Sequence, residues 1–227
     1  MSRLRVLDLG LAPYEDTQEL QAGLCLAVAE QRLPGLLLLL EHPPVITLGA
    51  RGTDSDLVDG GLGDTGHPLV PVVRSVRGGG ATLHAPGQLV SYPVVPVPRR
   101  DLRLFVRSLE EVVVRVLAEY GVRSERSAGR PGVYVGEAKI ASVGLRCRRW
   151  VSSHGTSLNV SIDLDLFDRI VSCGEPDLRQ TSVLALTGVA PPMDEVKRLY
   201  AARFCEVFDL ECAELETATL GEVGALI

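Results

Sequence analysis

Residues 35–42 read GLLLLLEH, with Pro34 before them and Pro43-Pro44 after. Five consecutive leucines leave no polar face, so the run fits a short strand buried in the interior. The prolines limit its length, and it is far too short to span a bilayer, which takes about 20 apolar residues. A strand of this kind needs further layers packed against it. Residues 15–33 (EDTQELQAGLCLAVAEQRL) supply a helical apolar spacing that stops at Pro34-Gly35. In residues 101–122, Phe105, Leu109, Val112, Val113, Val116 and Leu117 fall on one helical face, and Gly121 ends it. Residues 193–210 form a last amphipathic helix.

Strands are expected at 6–10, 44–50, 68–76 and 88–97, and in a β-rich series over 132–163. The prolines in 68–76 and 88–97 argue for sheet edges or irregular ends. Residues 50–67 are rich in Gly and Asp and read as a loop. Strands and helices mix without strict βαβ alternation, and no linker interrupts them. The expected fold is therefore α+β: one domain over 1–227, a mixed β-sheet flanked by helices. With 46% hydrophobic residues, such a chain can bury a sizeable core.

The net charge of −6 disfavours a general nucleic-acid binder, which would show a basic field. The five cysteines have no framework spacing; Cys25 and Cys205 sit in apolar helical patterns and read as small core residues. A reducing compartment is expected. The N-terminal residues show no apolar signal segment, so a cytoplasmic protein without membrane attachment is expected. No His/Cys/Asp/Glu cluster has zinc spacing, and no metal or other cofactor is expected.

The segment 74–95, RSVRGGGATLHAPGQLVSYPVV, places three glycines between two strand-like runs. It lacks the G-K-[ST] of a phosphate loop, and Leu83 stands where a dinucleotide fingerprint needs its third glycine. Three glycines let a ligand lie against the backbone and expose N–H groups to a carbonyl or carboxylate oxygen. A plain hairpin turn has the same composition. Cys173, in the polar loop VSCGEPDLRQTS, is either an accessible thiol or an incidental loop cysteine. Lys139 and Lys197 are the only lysines among 23 basic residues. Lys139 lies in the apolar run KIASVG, as a snorkelling surface residue or one held inward for a purpose.

Arg77-Gly78-Gly79 followed by His84-Ala85-Pro86-Gly87-Gln88 resembles the signature of the lipoyl(octanoyl) transferases, within the biotin/lipoate protein ligase superfamily. EHPPVITLG, KIASVGLRCRRW, HGTSLNV and CGEPDLRQTSV continue the resemblance in order along most of the chain. Two positions depart from it: Leu83, where an aromatic is usual, and Ser172, where proline often precedes the cysteine. The resemblance implies the fold of the biotin/lipoate ligase catalytic domain, with Cys173 as nucleophile and Lys139 as its partner. It implies an acyl site built from Arg77, Gly78, Gly79, Gly80, Ala81, Thr82, Leu83 and His84, from Ser142, Val143 and Gly144, and from Gly155, Thr156 and Ser157. Leucine is smaller than an aromatic, so a pocket with Leu83 in its wall would admit a somewhat longer chain, such as decanoyl.

The implied partners are octanoyl-acyl carrier protein as donor and a specific lysine of lipoyl domains as acceptor, in 2-oxoacid dehydrogenase complexes and the glycine cleavage H protein. A thiolate would take the acyl group from one thioester and pass it to an amine, giving an amide without ATP. A thiol with an ordinary pKa of about 8.5 needs help to ionise. A neutral Lys139 would take its proton, whereas a protonated one would stabilise the thiolate; the sequence leaves both open. His84 is expected to brace the turn or shape the pocket, His154 opens HGTSLN, and His42 and His67, each before a proline, read as structural. The clusters PRRDLR and RCRRW could dock an acidic carrier or be a solvated face. The competing functions are an ATP-dependent lipoate or biotin ligase and a non-catalytic module that binds acylated carriers.

Overall fold

The five-leucine run becomes β2 (Leu36–Glu41), and its side chains divide between two cores. The structure is a computed structural model describing residues 3–58, 69–172, 174–175 and 177–227. Alternation along the strand sends Leu37 and Leu39 to one face, with Phe105, Leu109, Val113, Tyr200 and Phe204. It sends Leu36, Leu38 and Leu40 to the other, with Leu20, Leu24, Val28 and Val223. All five leucines are buried, at about 2 kcal/mol each of apolar transfer.

The elements follow in chain order. They are β1 (Leu4–Leu11), α1 (Tyr14–Ala29), β2, β3 (Val45–Leu48), β4 (Val72–Arg74), β5 (Ala81–His84) and β6 (Gln88–Val94). Then come α2 (Leu102–Glu119), β7 (Glu125–Ser127), β8 (Arg130–Val135), β9 (Ala138–Arg148) and β10 (Val151–Asn159). The chain closes with α3 (Val183–Thr187), α4 (Met193–Phe208), β11 (Cys212–Thr217) and α5 (Leu220–Gly224). Eight strands form a mixed sheet in the order β11-β1-β2-β6-β10-β9-β8-β7. β11, β1 and β2 run parallel, and from β2 to β7 the neighbours are antiparallel. A second sheet, β4-β3-β5, has its own cluster of Ile46, Leu48, Leu83, Leu166, Phe167 and Ile170. Helices α2 and α4 cover one face of the large sheet and α1 the other. The α+β architecture expected from the sequence is thus the one observed.

One local expectation is narrowed and one corrected. The first concerns β6, whose prolines argue for a sheet edge or an irregular end: it lies inside the sheet, between β2 and β10, and the irregularity is at its end. Its ladder with β10 pairs Gln88–Ser91 with Asn159–Thr156 and stops before Pro93. There β10 changes course. His154 takes φ +53°, and a Cβ on Gly155 would lie 2.7 Å from Pro93 Cδ. The missing proline N–H therefore falls where no ladder bond is needed. The Ser152 hydroxyl fills the gap, donating to Pro93 O at 2.6 Å. β4, by contrast, is an edge strand that begins after Pro71, in keeping with the prolines of 68–76.

The correction is Cys205. It is half-buried and disulfide-bonded to Cys212, with Cα atoms 6.0 Å apart. The chain leaves α4 through Asp209 in the left-handed region and turns back into β11, a strand without a clear periodic signal.

Candidate active site

The glycine segment approaches the large sheet from the second, smaller one. β5 pairs with β3, and the backbone just before it reaches across to β9, where Gly78 N–H donates to Leu145 O at 2.8 Å. Arg77 anchors the segment. Its guanidinium is buried and donates from Nη2 to Thr47 O at 2.6 Å and to Thr47 Oγ1 at 2.8 Å. The carbonyls of Arg77, Gly79 and Gly80 accept from Ala50, Arg51 and Gly49 at 2.8, 3.0 and 3.1 Å. The N–H groups of Gly79 and Gly80 donate to no described residue. The glycines are needed for close approach: a Cβ on Gly78 would sit 3.1 Å from Leu145 O, and Gly79 has φ +93°.

Between the two sheets lies a cavity of about 50 Å³. Residues 77–82 and His84 line one side, residues 142–144 of β9 and 155–157 of β10 the other, with Lys139, Tyr92 and His154 completing it. Every residue of the expected acyl site except Leu83 is here. Leu83 is fully buried in the cluster of the smaller sheet, because neighbours on a strand face opposite ways and Thr82 and His84 take the cavity side. Tyr92 and His154 line the cavity although neither belongs to the expected acyl site. Tyr92 carries no signal beyond an ordinary strand tyrosine, and His154 is marked only by its place in HGTSLN.

Lys139 is 2% exposed. Its Nζ lies over the Tyr134 ring, 5.4 Å from the centroid. A Cβ on Gly132 would meet Lys139 Cε at 2.8 Å, so the glycine makes room for the lysine chain. Cys173, Pro176 and His67 lie outside the described residues. The chain on either side of Cys173 is held to the cavity walls. Ser172 bridges Ala81, and Gln180 bridges Lys139, with Lys139 N–H donating to Arg179 O at 2.8 Å and Thr181 N–H to Lys139 O at 2.9 Å. Arg130 forms a two-pronged ion pair with Glu175 in this loop.

At the far end of the cavity five rings pack together: Tyr14, His42, His84, Tyr92 and His154. Burial pushes the His42 imidazole down to about 4 and His154 down to about 3, and holds His84 well below the usual range, so all three are neutral. Gln88 Nε2 donates to Leu83 O and Asn159 Oδ1, which turns Gln88 Oε1 toward His84 Nδ1 at 2.7 Å. His84 Nδ1 therefore carries the proton and Nε2 is an acceptor. By the same logic His42 Nδ1 donates to Ala12 O at 2.6 Å and Nε2 accepts from Tyr92 Oη at 2.8 Å. Asn159 Nδ2 in turn donates to Thr181 O at 3.0 Å, joining the His84 turn to the end of the cysteine loop. His84 thus braces its turn while facing the cavity.

The chain has relatives among known proteins. Residues 13–205 match the family described as the lipoyl protein ligase A/B catalytic domain. An octanoyltransferase of Geobacter metallireducens is 41% identical over 217 residues, 95% of this chain and 98% of its own length. That of Nitratidesulfovibrio vulgaris is 44% identical over 210 residues, 90% and 94% of the two chains. The chain belongs to the octanoyltransferase family. It is an acyltransferase. Among solved structures, lipoate-protein ligase A bound with ATP superposes with a TM-score of 0.73 at 18% identity, over 99% of this chain and 92% of that one. The bipartite lipoate protein ligase of Thermoplasma acidophilum gives 0.75 at 19%, over 99% and 91%. At such identities these two speak for the fold alone. As in the ligase structures, a mixed sheet carries helices on its faces.

Proposed function

We propose that this octanoyltransferase-family enzyme moves an octanoyl group from octanoyl-acyl carrier protein to a lysine of a lipoyl domain through a thioester on Cys173. The observation that carries the reading is Lys139: a buried lysine opening onto a cavity walled by glycines, with the strand that bears it paired to the cysteine loop. In the first step the Cys173 thiolate attacks the carbonyl carbon of the donor thioester. The carbonyl oxygen becomes an oxyanion, for which the N–H groups of Gly79 and Gly80 are available donors. The intermediate collapses by breaking the bond to the carrier sulfur, which leaves as a thiolate and is protonated. In the second step the neutral amine of the acceptor lysine attacks the acyl-cysteine. The amide forms, the Cys173–acyl bond breaks, and the amine's surplus proton passes to the departing thiolate. Lys139 is the group that holds or stabilises the charge at sulfur in both steps. An amide is less activated than a thioester, so no ATP is consumed.

Two thiols contrast with the candidate nucleophile. Burial pushes the Cys25 thiol up to about 11, and desolvation also raises Cys147. Both are therefore less ionised at neutral pH than an ordinary thiol. The test is mass spectrometry of enzyme, octanoyl-carrier and lipoyl domain without ATP. The lipoyl domain should gain one octanoyl group. Enzyme given donor alone should gain an octanoyl group that hydroxylamine removes. Cys173→Ser should form no such adduct and lose nearly all turnover, whereas Cys147→Ser should keep most of it. A gain that requires free acid and ATP would make the chain a ligase instead, and label on Cys147 would reject the assignment of the nucleophile.

A further inference from the structure

Acyl carrier proteins are generally acidic, and a chain of net charge −6 repels such a partner over much of its surface. One groove reverses the sign. It runs between α2 and the β7–β8 hairpin, and four arginines line it: Arg103 and Arg107 from α2, Arg126 from β7 and Arg130 from β8. Its acidic neighbours are accounted for. Arg126 pairs with Glu111 at 3.2 Å, and Arg130 pairs with Glu175. Glu110 is buried at the groove floor, its Oε1 accepting from Gly132 N–H at 2.9 Å. Arg103 and Arg107 are exposed and make no ion pair with any described residue. Arg103 and Arg107 recur at i and i+4, so the basic stripe follows α2 for about 6 Å.

The groove lies next to the candidate site. Gly132, held by Glu110, is the residue over which the Lys139 chain passes. Arg130 and Lys139 lie against the same ring: Arg130 Cζ is 5.1 Å and Lys139 Nζ 5.4 Å from the Tyr134 centroid. The other basic residues singled out in the sequence sit elsewhere. Arg148 and Arg149 are at the tip of the β9–β10 hairpin, about 30 Å along β9 from Lys139 at the strand rise of ~3.3 Å per residue. Arg100 joins them there, 5.9 Å from the Trp150 ring. A carrier seated on that tip would hold its thioester a strand's length from the lysine.

The geometry points to the groove between α2 and the β7–β8 hairpin as the docking surface for the acidic carrier protein that delivers the acyl thioester, with Arg103 and Arg107 as its exposed contacts. This rests on the acyl-carrier reading of the site. The test compares the full chain with its Arg103→Glu/Arg107→Glu variant. Binding of octanoyl-carrier is measured by calorimetry at low and physiological salt. Turnover is measured with octanoyl-carrier and with octanoyl-pantetheine, a thioester without a protein surface, and a thermal melt checks the fold. Should the double variant unfold, Arg107→Gln replaces it. Carrier binding should weaken at least tenfold, with a flatter salt dependence, and kcat/KM should fall far more for octanoyl-carrier than for octanoyl-pantetheine. Equal carrier affinity in both proteins would overturn the proposal. So would a loss confined to lipoyl-domain affinity, which would give the groove to the acceptor. Arginine-dependent carrier binding without octanoyl transfer would keep the groove and reject the transferase reading. Transfer with arginine-independent binding would do the reverse.

Discussion

Leu83 and His84 are neighbours on β5 with opposite surroundings. His84 faces the cavity and holds Gln88, while Leu83 is sealed in the cluster of Ile46, Leu48 and Phe167. A pocket wall at Leu83 would have set acyl length; a packed core position sets stability. Leu83→Tyr should therefore destabilise the fold by about 1–3 kcal/mol through overpacking. Among molecules that remain folded, the ratio of octanoyl to decanoyl transfer should stay as in the wild type. Denaturant unfolding and a competition assay measure the two effects separately. A changed ratio at unchanged stability would put Leu83 back in the wall. The rings of His84, Tyr92 and His154 line the cavity instead, and each is held by packing with Tyr14 or His42.

Among the elements, β10 does the most to shape the site. A regular strand would carry its ladder with β6 past Pro93. The positive φ at His154 and the bare Gly155 interrupt the ladder, and His154 N–H is taken by Gln21 Oε1 of α1 at 2.7 Å. A second element-level device joins α4 to β11 through Cys205 and Cys212. β11 is the edge strand beside β1, so the bond ties an edge to the helix that covers it. The closed loop is short, and chain-entropy arguments assign it about 2–3 kcal/mol. Cys205→Ser should lower stability by up to that amount and leave octanoyl transfer nearly intact, as read by urea unfolding and the mass assay. Identical unfolding midpoints for wild type and variant under oxidising conditions would show that the bond contributes nothing.

The whole molecule has a pH dependence written into its buried imidazoles. His42 and His154 titrate near 6.5 when unfolded and at about 4 and about 3 when folded. Between those values the unfolded chain binds more protons, so stability rises with pH there. The stabilisation is complete above about pH 6.5 and is lost as pH falls through the folded values. Urea unfolding should show several kcal/mol less stability near pH 4 than near pH 7. His154→Asn, which keeps a residue tolerant of positive φ, should reduce that slope. An unchanged slope would mean that His154 is not buried neutral in solution. Acid should thus loosen the molecule at the junction of its two sheets, where the ring cluster packs and the cavity begins.

Much of this was legible from order and period alone. The five leucines demanded a buried strand and the apolar spacing of residues 101–122 gave α2, because local pattern is a property of the chain itself, whereas RGGG, His84 and KIASVG were marked as a site by the resemblance to the lipoyl(octanoyl) transferases. Three features were decided only by the fold. Pro93 argued for an edge or an irregular end, and the fold chose the second: β6 is central, and the neighbouring β10 supplies the irregularity beside it. Leu83 stood within the signature but turned away from the cavity, because facing depends on register with β3. Cys205 met Cys212 because α4 and β11 run back along one another. Each depends on what lies across a gap in space, and the packing of separate segments decides that after local sequence has specified the elements.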